Sequence, residues 1–314
     1  MYVGPPALTV SRALTSWTVD VPVLLIVLVL AGFYLAGVRR VRRGGQPWPG
    51  ARAVAFLAGG TGALVIATMS FAGVYQRVLF WPRAVQTVLL LLVAPLFLAL
   101  GRPLSLLIAA LPAPGARVAA AVQSRAARVL TFPAVTALVL MIVPFLLYFT
   151  PWYAAGLRSD TVRELTYFAL MAPGLVFFWT LLRVDPVPKA YPYLVSLWVT
   201  GAEVVGDAVL GLAVIADQHL LAGSYYQALA RPWGPSLRAD QVIGGGALWI
   251  LGDLVGLPFL AAQLILMIRE DEREAAQVDA ELDAGAELAP AAPASRLWWQ
   301  SDPRFTGRFR GPPA

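Results

Sequence analysis

Seven long apolar stretches dominate this chain: Val21–Val38, Ala53–Phe71, Ala84–Leu100, Phe132–Phe149, Val162–Leu182, Tyr193–Ala216 and Val242–Ile268. The hydrocarbon core of a bilayer takes about 20 consecutive apolar residues per helix. Stretches of this length and number predict an all-α, polytopic integral membrane protein with seven transmembrane helices. The lipid bilayer is then its first partner.

The connecting segments set the orientation. Of the 24 Lys and Arg residues, 17 fall in segments 39–52, 102–131, 183–190 and 269–314, which share one side of the membrane. Basic residues flanking spans are retained in the cytoplasm, so the amino terminus is expected outside and the carboxyl terminus in the cytoplasm. The net charge of +6 sits around apolar spans in a chain that is 59% hydrophobic, and reads as membrane topology rather than nucleic-acid binding. There are no cysteines, which excludes disulfides, thiolate metal sites and cysteine nucleophiles. The first apolar run precedes Arg39-Arg40-Val41-Arg42-Arg43, the reverse of a signal peptide's charged-then-apolar order, and reads as a retained first helix.

No soluble run long enough for a second core interrupts the spans, so residues 1–268 form one membrane domain. Segment 102–131 opens with Gly101-Arg102-Pro103 and carries Arg117, Arg125 and Arg128 at helical spacing, the pattern of a surface-lying amphipathic connector. The segment from Asp217 to Asp240 is the longest external loop. Its Tyr225, Tyr226 and Trp233 suit a membrane anchor or a lid. Residues 269–314 form a cytoplasmic tail. Its acidic, alanine-containing start extends the last helix as far as Gly285, and beyond Pro290 and Pro293 it reads as largely disordered. Trp298, Trp299, Phe305 and Phe309 among arginines are also a pattern for headgroups or a partner.

Ionisable residues inside spans are costly and mark candidate sites. Glu203 and Asp207 share a face of the sixth helix, and Asp253 lies at similar depth on the seventh. Three carboxylates in a low dielectric need a cation or a shared proton, so the cluster is either a metal or proton site or a packing device bonded to neighbouring Arg and Tyr. The glycines of both helices allow close approach. The single histidine, His219, is in an external loop, and the methionines form no M-x-x-M or M-x-M pair. Imidazole, thiolate and thioether ligands for copper are therefore lacking, bis-histidine haem is impossible within one chain, and no cofactor is expected. The phosphate-binding, nucleophile-elbow and zincin motifs are absent as well, and the chain does not read as an enzyme.

A family resemblance adds to this reading. The stretch from Arg83 to Leu104, with Ala94-Pro95 at its middle and Gly101-Arg102-Pro103 near its end, resembles the third-helix signature of the CtaG-like cytochrome c oxidase assembly factors. Gly174–Trp179 leading to Val184-Asp185-Pro186-Val187-Pro188 is similar to the family's fifth helix and inner loop. Arg231-Pro232-Trp233-Gly234, the Asp240–Gly245 stretch with Gln241, and Leu248–Asp253 resemble its last loop and seventh helix. The resemblance covers about residues 50–268. It implies a multi-pass protein of the bacterial plasma membrane, implicated in maturing the copper-containing oxidase, with oxidase subunits or a copper chaperone as partners.

The family's histidines are replaced. Its third-helix His-x-x-Gln-His falls on Arg83, Gln86 and Thr87, its fifth-helix His-x-x-x-His on Arg163 and Tyr167, and its sixth-helix histidine, by a looser alignment, on Asp207. The resemblance therefore implies a lost metal site and, in its place, a buried salt-bridged cluster of Arg83, Gln86, Arg163, Tyr167, Glu203, Asp207 and Asp253. The functional expectation is a non-enzymatic membrane helper in cytochrome c oxidase biogenesis, including copper-centre maturation. The rival is a proton- or ion-coupled transporter working through the intramembrane carboxylates, although no inverted repeat is evident.

Overall fold

The computed structural model describes Tyr2 and residues 4–288. All regular structure among them is helical, and the apolar stretches become helices α1 (Val21–Arg43), α2 (Gly50–Tyr75), α3 (Phe80–Ala110), α4 (Pro133–Phe149), α5 (Asp160–Leu182), α6 (Tyr193–Ala216) and α7 (Leu237–Leu288). Six are long and apolar enough to cross a membrane. α4 together with the short helix Pro151–Arg158, bent by 70°, is the candidate for a seventh. Thr150, held in extended backbone before Pro151, causes the bend, because the proline ring disfavours helical geometry in the residue that precedes it. Pro151 then opens the next helix, where its missing N–H costs nothing, and the Thr150 hydroxyl accepts from Trp152 N at 3.3 Å.

Local signals set other helix starts. The Asp20 carboxylate accepts from Val23 N at 3.3 Å with Pro22 in the first turn of α1, and the Ser159 hydroxyl accepts from Val162 N at 3.4 Å at the start of α5. Such caps satisfy donors that a helix leaves unpaired. Within α3 Arg102 adopts a left-handed conformation, Pro103–Ala110 completes that helix, and Pro112–Val122 and Arg125–Leu130 follow as short helices. The expected connector is thus a series of short helices with Arg117, Arg125 and Arg128 exposed.

Two thirds of α3's apolar window (67%) is buried, against 22% for α1, so α3 is the central helix. A π-helical segment, Leu89–Val93, interrupts it, and Gly174 of α5 packs there: a Cβ on that glycine would lie 2.0 Å from the Leu91 carbonyl oxygen. No other side chain fits. Leu25, Leu28, Phe33, Trp198 and Ile250 are exposed, as expected of surfaces whose solvent is hydrocarbon.

The chain divides into two compact units, Met1–Leu264 and Ile265–Ala314. In the second, the described residues are helical to Leu288, with Arg269 to Asp283 exposed. Residues 289–314, with Trp298, Trp299, Phe305 and Phe309, lie outside the described residues.

Candidate functional site

The amino-terminal half of α3 carries a buried polar network. The Arg83 guanidinium donates through Nη1 to Gln76 Oε1 at 3.0 Å and to Gln86 Oε1 at 2.6 Å. Gln86 Nε2 donates to the Ala67 carbonyl of α2 at 2.8 Å and to the Tyr167 hydroxyl at 3.4 Å, while that hydroxyl donates to Gln76 Oε1 at 3.0 Å. The Tyr167 ring lies 5.7 Å from the guanidinium carbon. One turn on, the Thr87 and Tyr148 hydroxyls are 2.8 Å apart, joining α3 to α4. Arg83, Gln86, Thr87, Tyr148 and Tyr167 are all at most 4% exposed. Helical spacing explains the assembly, since residues 83, 86 and 87 share one face of α3. The carboxamide oxygens compensate the cation where a carboxylate was expected. Arg83 Nε is buried with no partner among the described residues.

The structure thereby divides the expected cluster into three groups. Arg83, Gln86 and Tyr167 meet. Arg163, one turn before Tyr167, instead enters an ionic cluster with Asp160, Glu164 at 2.9 Å and Asp20 at 3.8 Å, and Arg77 also reaches Asp160. Glu203, Asp207 and Asp253 form the third group on α6 and α7. No ion pair joins Arg83 or Arg163 to Asp207 among the described residues, because each arginine finds closer oxygen acceptors on its own side of the fold. The salt-bridged core expected from the sequence is corrected accordingly. Glu203 and Asp207 rest on α7 glycines: a Cβ at Gly256 would meet Glu203 Oε2 at 3.1 Å, and one at Gly252 would meet Asp207 Oδ2 at 2.2 Å. Asp207 Oδ2 and Asp253 Oδ1 are buried without a hydrogen-bond partner among the described residues.

The motif acids act as distant helix caps. Asp240 of α7 accepts from Phe80 N at 2.9 Å and from Trp81 N at 3.1 Å, closing the start of α3, and Arg231 Nη2 stands 3.6 Å from its carboxylate. Negative charge at a helix amino terminus is favourable, and both side chains are nearly inaccessible (2% and 3% exposed). Asp185 does the same for the segment after Arg102, accepting from Leu104 N at 3.0 Å and Ser105 N at 2.9 Å. Gln241 accepts from Leu221 N at 2.9 Å and donates to Val214, Asp217 and His219 carbonyls, clamping the loop after α6. Tyr226 then folds inward, its hydroxyl 2.6 Å from that of Tyr153. Burial pushes the Tyr226 hydroxyl well above the ordinary phenol range. Trp233 packs edge-on against Tyr2 and Tyr75, so Tyr226 and Trp233 both pack against the protein.

Sequence reasoning missed Gln76, Tyr148 and Asp185. Asp185 stands inside the quoted Val184–Pro188 stretch and carried a signal, whereas nothing local marks Gln76 or Tyr148. As a metal site the network is poorly equipped: a guanidinium offers five donors and no lone pair, and amide and phenol oxygens are weak replacements for imidazole toward copper. Among the described residues no group of three His, Cys, Asp or Glu side chains is placed to hold a metal ion.

A helical, polytopic membrane protein whose central helix bears a buried polar network, capped from the last helix, is the class that these features define. The chain belongs to the cytochrome c oxidase caa3 assembly factor (Caa3_CtaG) family, whose model matches residues 32–270. This bears out the resemblance read from the Arg83–Leu104 stretch. Similar proteins include uncharacterized protein Mb0105 of Mycobacterium bovis and uncharacterized protein MT0111 of Mycobacterium tuberculosis, each 30% identical over 292 residues, and uncharacterized protein ML1998 of Mycobacterium leprae, 29% identical over 291 residues. In each comparison 90% of this chain is covered, and it spans 44% of the relative's length. No solved structure matches.

Proposed function

We propose that this chain is a non-enzymatic helper in cytochrome c oxidase assembly, held in the bacterial plasma membrane with its amino terminus outside, and that it works without a histidine copper site of its own. The observation that carries the reading is the meeting of Arg83, Gln86 and Tyr167 in one hydrogen-bonded network around a fixed cation, with Thr87 bonded to Tyr148 beside it, at four positions that the family resemblance matches to His-x-x-Gln-His and a further histidine. A unit positive charge about 4 Å from a cuprous ion repels it by about 4 kcal/mol at the effective dielectric of a protein, roughly a thousandfold in affinity. The guanidinium thus fills the site electrostatically as well as sterically.

What remains is a rigid scaffold. Its partners are oxidase subunits or a copper chaperone, which bring the metal ligands themselves. Family membership favours this over the transporter reading, and Glu203 and Asp207 pack onto Gly256 and Gly252 in support of a helix-joining role. The test is a deletion strain of the source bacterium complemented with wild-type chain, with assembled oxidase read from its haem absorbance and its copper content. Loss on deletion and recovery on complementation are expected. Unchanged oxidase in the deletion strain would refute the assignment.

A further inference from the structure

The carboxyl-terminal end of α1 and the Pro103–Ala110 segment enclose a groove of about 770 Å³. Arg39, Arg40 and Arg43 line its rim, and Phe33, Leu106 and Leu107 are among the apolar side chains below them. All three arginines are exposed. Their guanidinium groups meet no acceptor among the described residues, whereas neighbouring Arg42 donates to the Trp48 carbonyl at 3.1 Å. Among the described residues no acidic side chain lines the groove.

A second, mostly apolar cavity of about 360 Å³ shares Leu30, Phe56 and Pro103 with the groove and continues along α1 to Val23, where Glu164, paired with Arg163, lines its far part. From Arg40 to Val23 the helix rises about 25 Å, more than the roughly 15 Å half-thickness of a bilayer's hydrocarbon core. Three free guanidinium groups therefore stand at the mouth of an apolar lane long enough for an acyl chain.

We propose that this lane binds an anionic phospholipid, its phosphate held by Arg39, Arg40 and Arg43 and one acyl chain lying between α1 and the neighbouring helices. Arginine matches phosphate geometry through paired N–H donors, and basic pockets between membrane helices are recognised sites for anionic headgroups. Charge selects the headgroup and the apolar lane selects a lipid over a free phosphate. The inference does not depend on the assembly role proposed above.

The test uses the purified full chain in neutral detergent, titrated with phosphatidylglycerol or phosphatidylcholine while its thermal unfolding midpoint is followed. Phosphatidylglycerol should raise the midpoint at a concentration at least tenfold lower than phosphatidylcholine. An attraction of this kind is worth about fivefold per arginine, so Arg39→Gln/Arg40→Gln/Arg43→Gln should weaken the phosphatidylglycerol response by about a hundredfold, and Arg40→Gln alone by about fivefold should the triple variant fail to fold. Arg117→Gln/Arg125→Gln/Arg128→Gln, which removes equal charge elsewhere, should leave it unchanged. Equal responses to the two lipids, or an equal loss in the Arg117 series, would overturn the proposal. So would a midpoint rise with soluble glycerol phosphate alone, which would mark a phosphate site without a lipid.

Discussion

Replacing Asp240 with asparagine should be among the most damaging isosteric changes in this protein. The carboxylate accepts from Phe80 N and Trp81 N at 2.9 and 3.1 Å and faces Arg231 at 3.6 Å, with both side chains nearly inaccessible. Asparagine keeps one acceptor oxygen and turns an amide N–H toward the second backbone donor, so one charge-assisted hydrogen bond of about 1.5 to 3 kcal/mol is lost. Arg231 is simultaneously left without a counter-charge, and breaking one side of a buried pair costs about 3 to 5 kcal/mol. These costs overlap because one carboxylate serves both roles. Arg231 also retains the Trp233 and Pro235 carbonyls at 2.7 and 2.9 Å. The expected loss is therefore about 4 kcal/mol rather than the sum. Denaturant unfolding in detergent micelles, followed by tryptophan fluorescence, measures it. Asp240→Asn combined with Arg231→Gln should cost less than the two single changes added, by about 1 to 3 kcal/mol. A single-variant loss below about 1 kcal/mol, or strict additivity, would mean that the α3 cap is not held by a buried charge pair.

Three further expectations follow from the same geometry. Reporters fused after Arg43 and after Ala275 should score cytoplasmic and one near Ser224 external; an external signal after Arg43 would reverse the proposed orientation. Arg83→Gln and Asp207→Asn should add within about 0.5 kcal/mol, because Arg83 is held by Gln76 and Gln86 rather than by Asp207; strong coupling would restore the salt-bridged core. The raised Tyr226 hydroxyl gives stability that is fully present below the unfolded-state value of about 10 and is lost as pH rises above it, since the unfolded chain then releases a proton that the folded chain keeps. Tyr226→Phe should reduce that alkaline loss, and an identical pH profile would show that the hydroxyl is not buried.

The helices were legible because lipid imposes one demand on every span, about 20 apolar residues with their backbone satisfied internally. The Thr150-Pro151 bend and the helices opened by Pro103 and Pro112 had local signals too, but a proline signals a break without giving its angle. The candidate site was legible only in part. The face shared by Arg83, Gln86 and Thr87 follows from helical spacing, yet the choice of partners does not. Counting charges led from two arginines to Asp207, whereas the fold brings Gln76 and Tyr167 to Arg83, and Asp160, Glu164 and Asp20 to Arg163. A neutral carboxamide carries no charge signal to read. Asp240 was visible as part of a motif, but its task, capping a helix that starts 160 residues earlier in the chain, is a property of the folded state alone.

Copper retention tests the closed histidine positions most directly. Purified protein loaded with cuprous ion and washed with chelator should keep well under one copper per chain by elemental analysis, because Arg83, Thr87 and Tyr167 offer no imidazole and one of them is a fixed cation. The variant Arg83→His/Thr87→His/Tyr167→His, measured alongside, should retain more. Stoichiometric copper in the wild-type chain after the wash would contradict the reading of this network as a scaffold that has given up its metal.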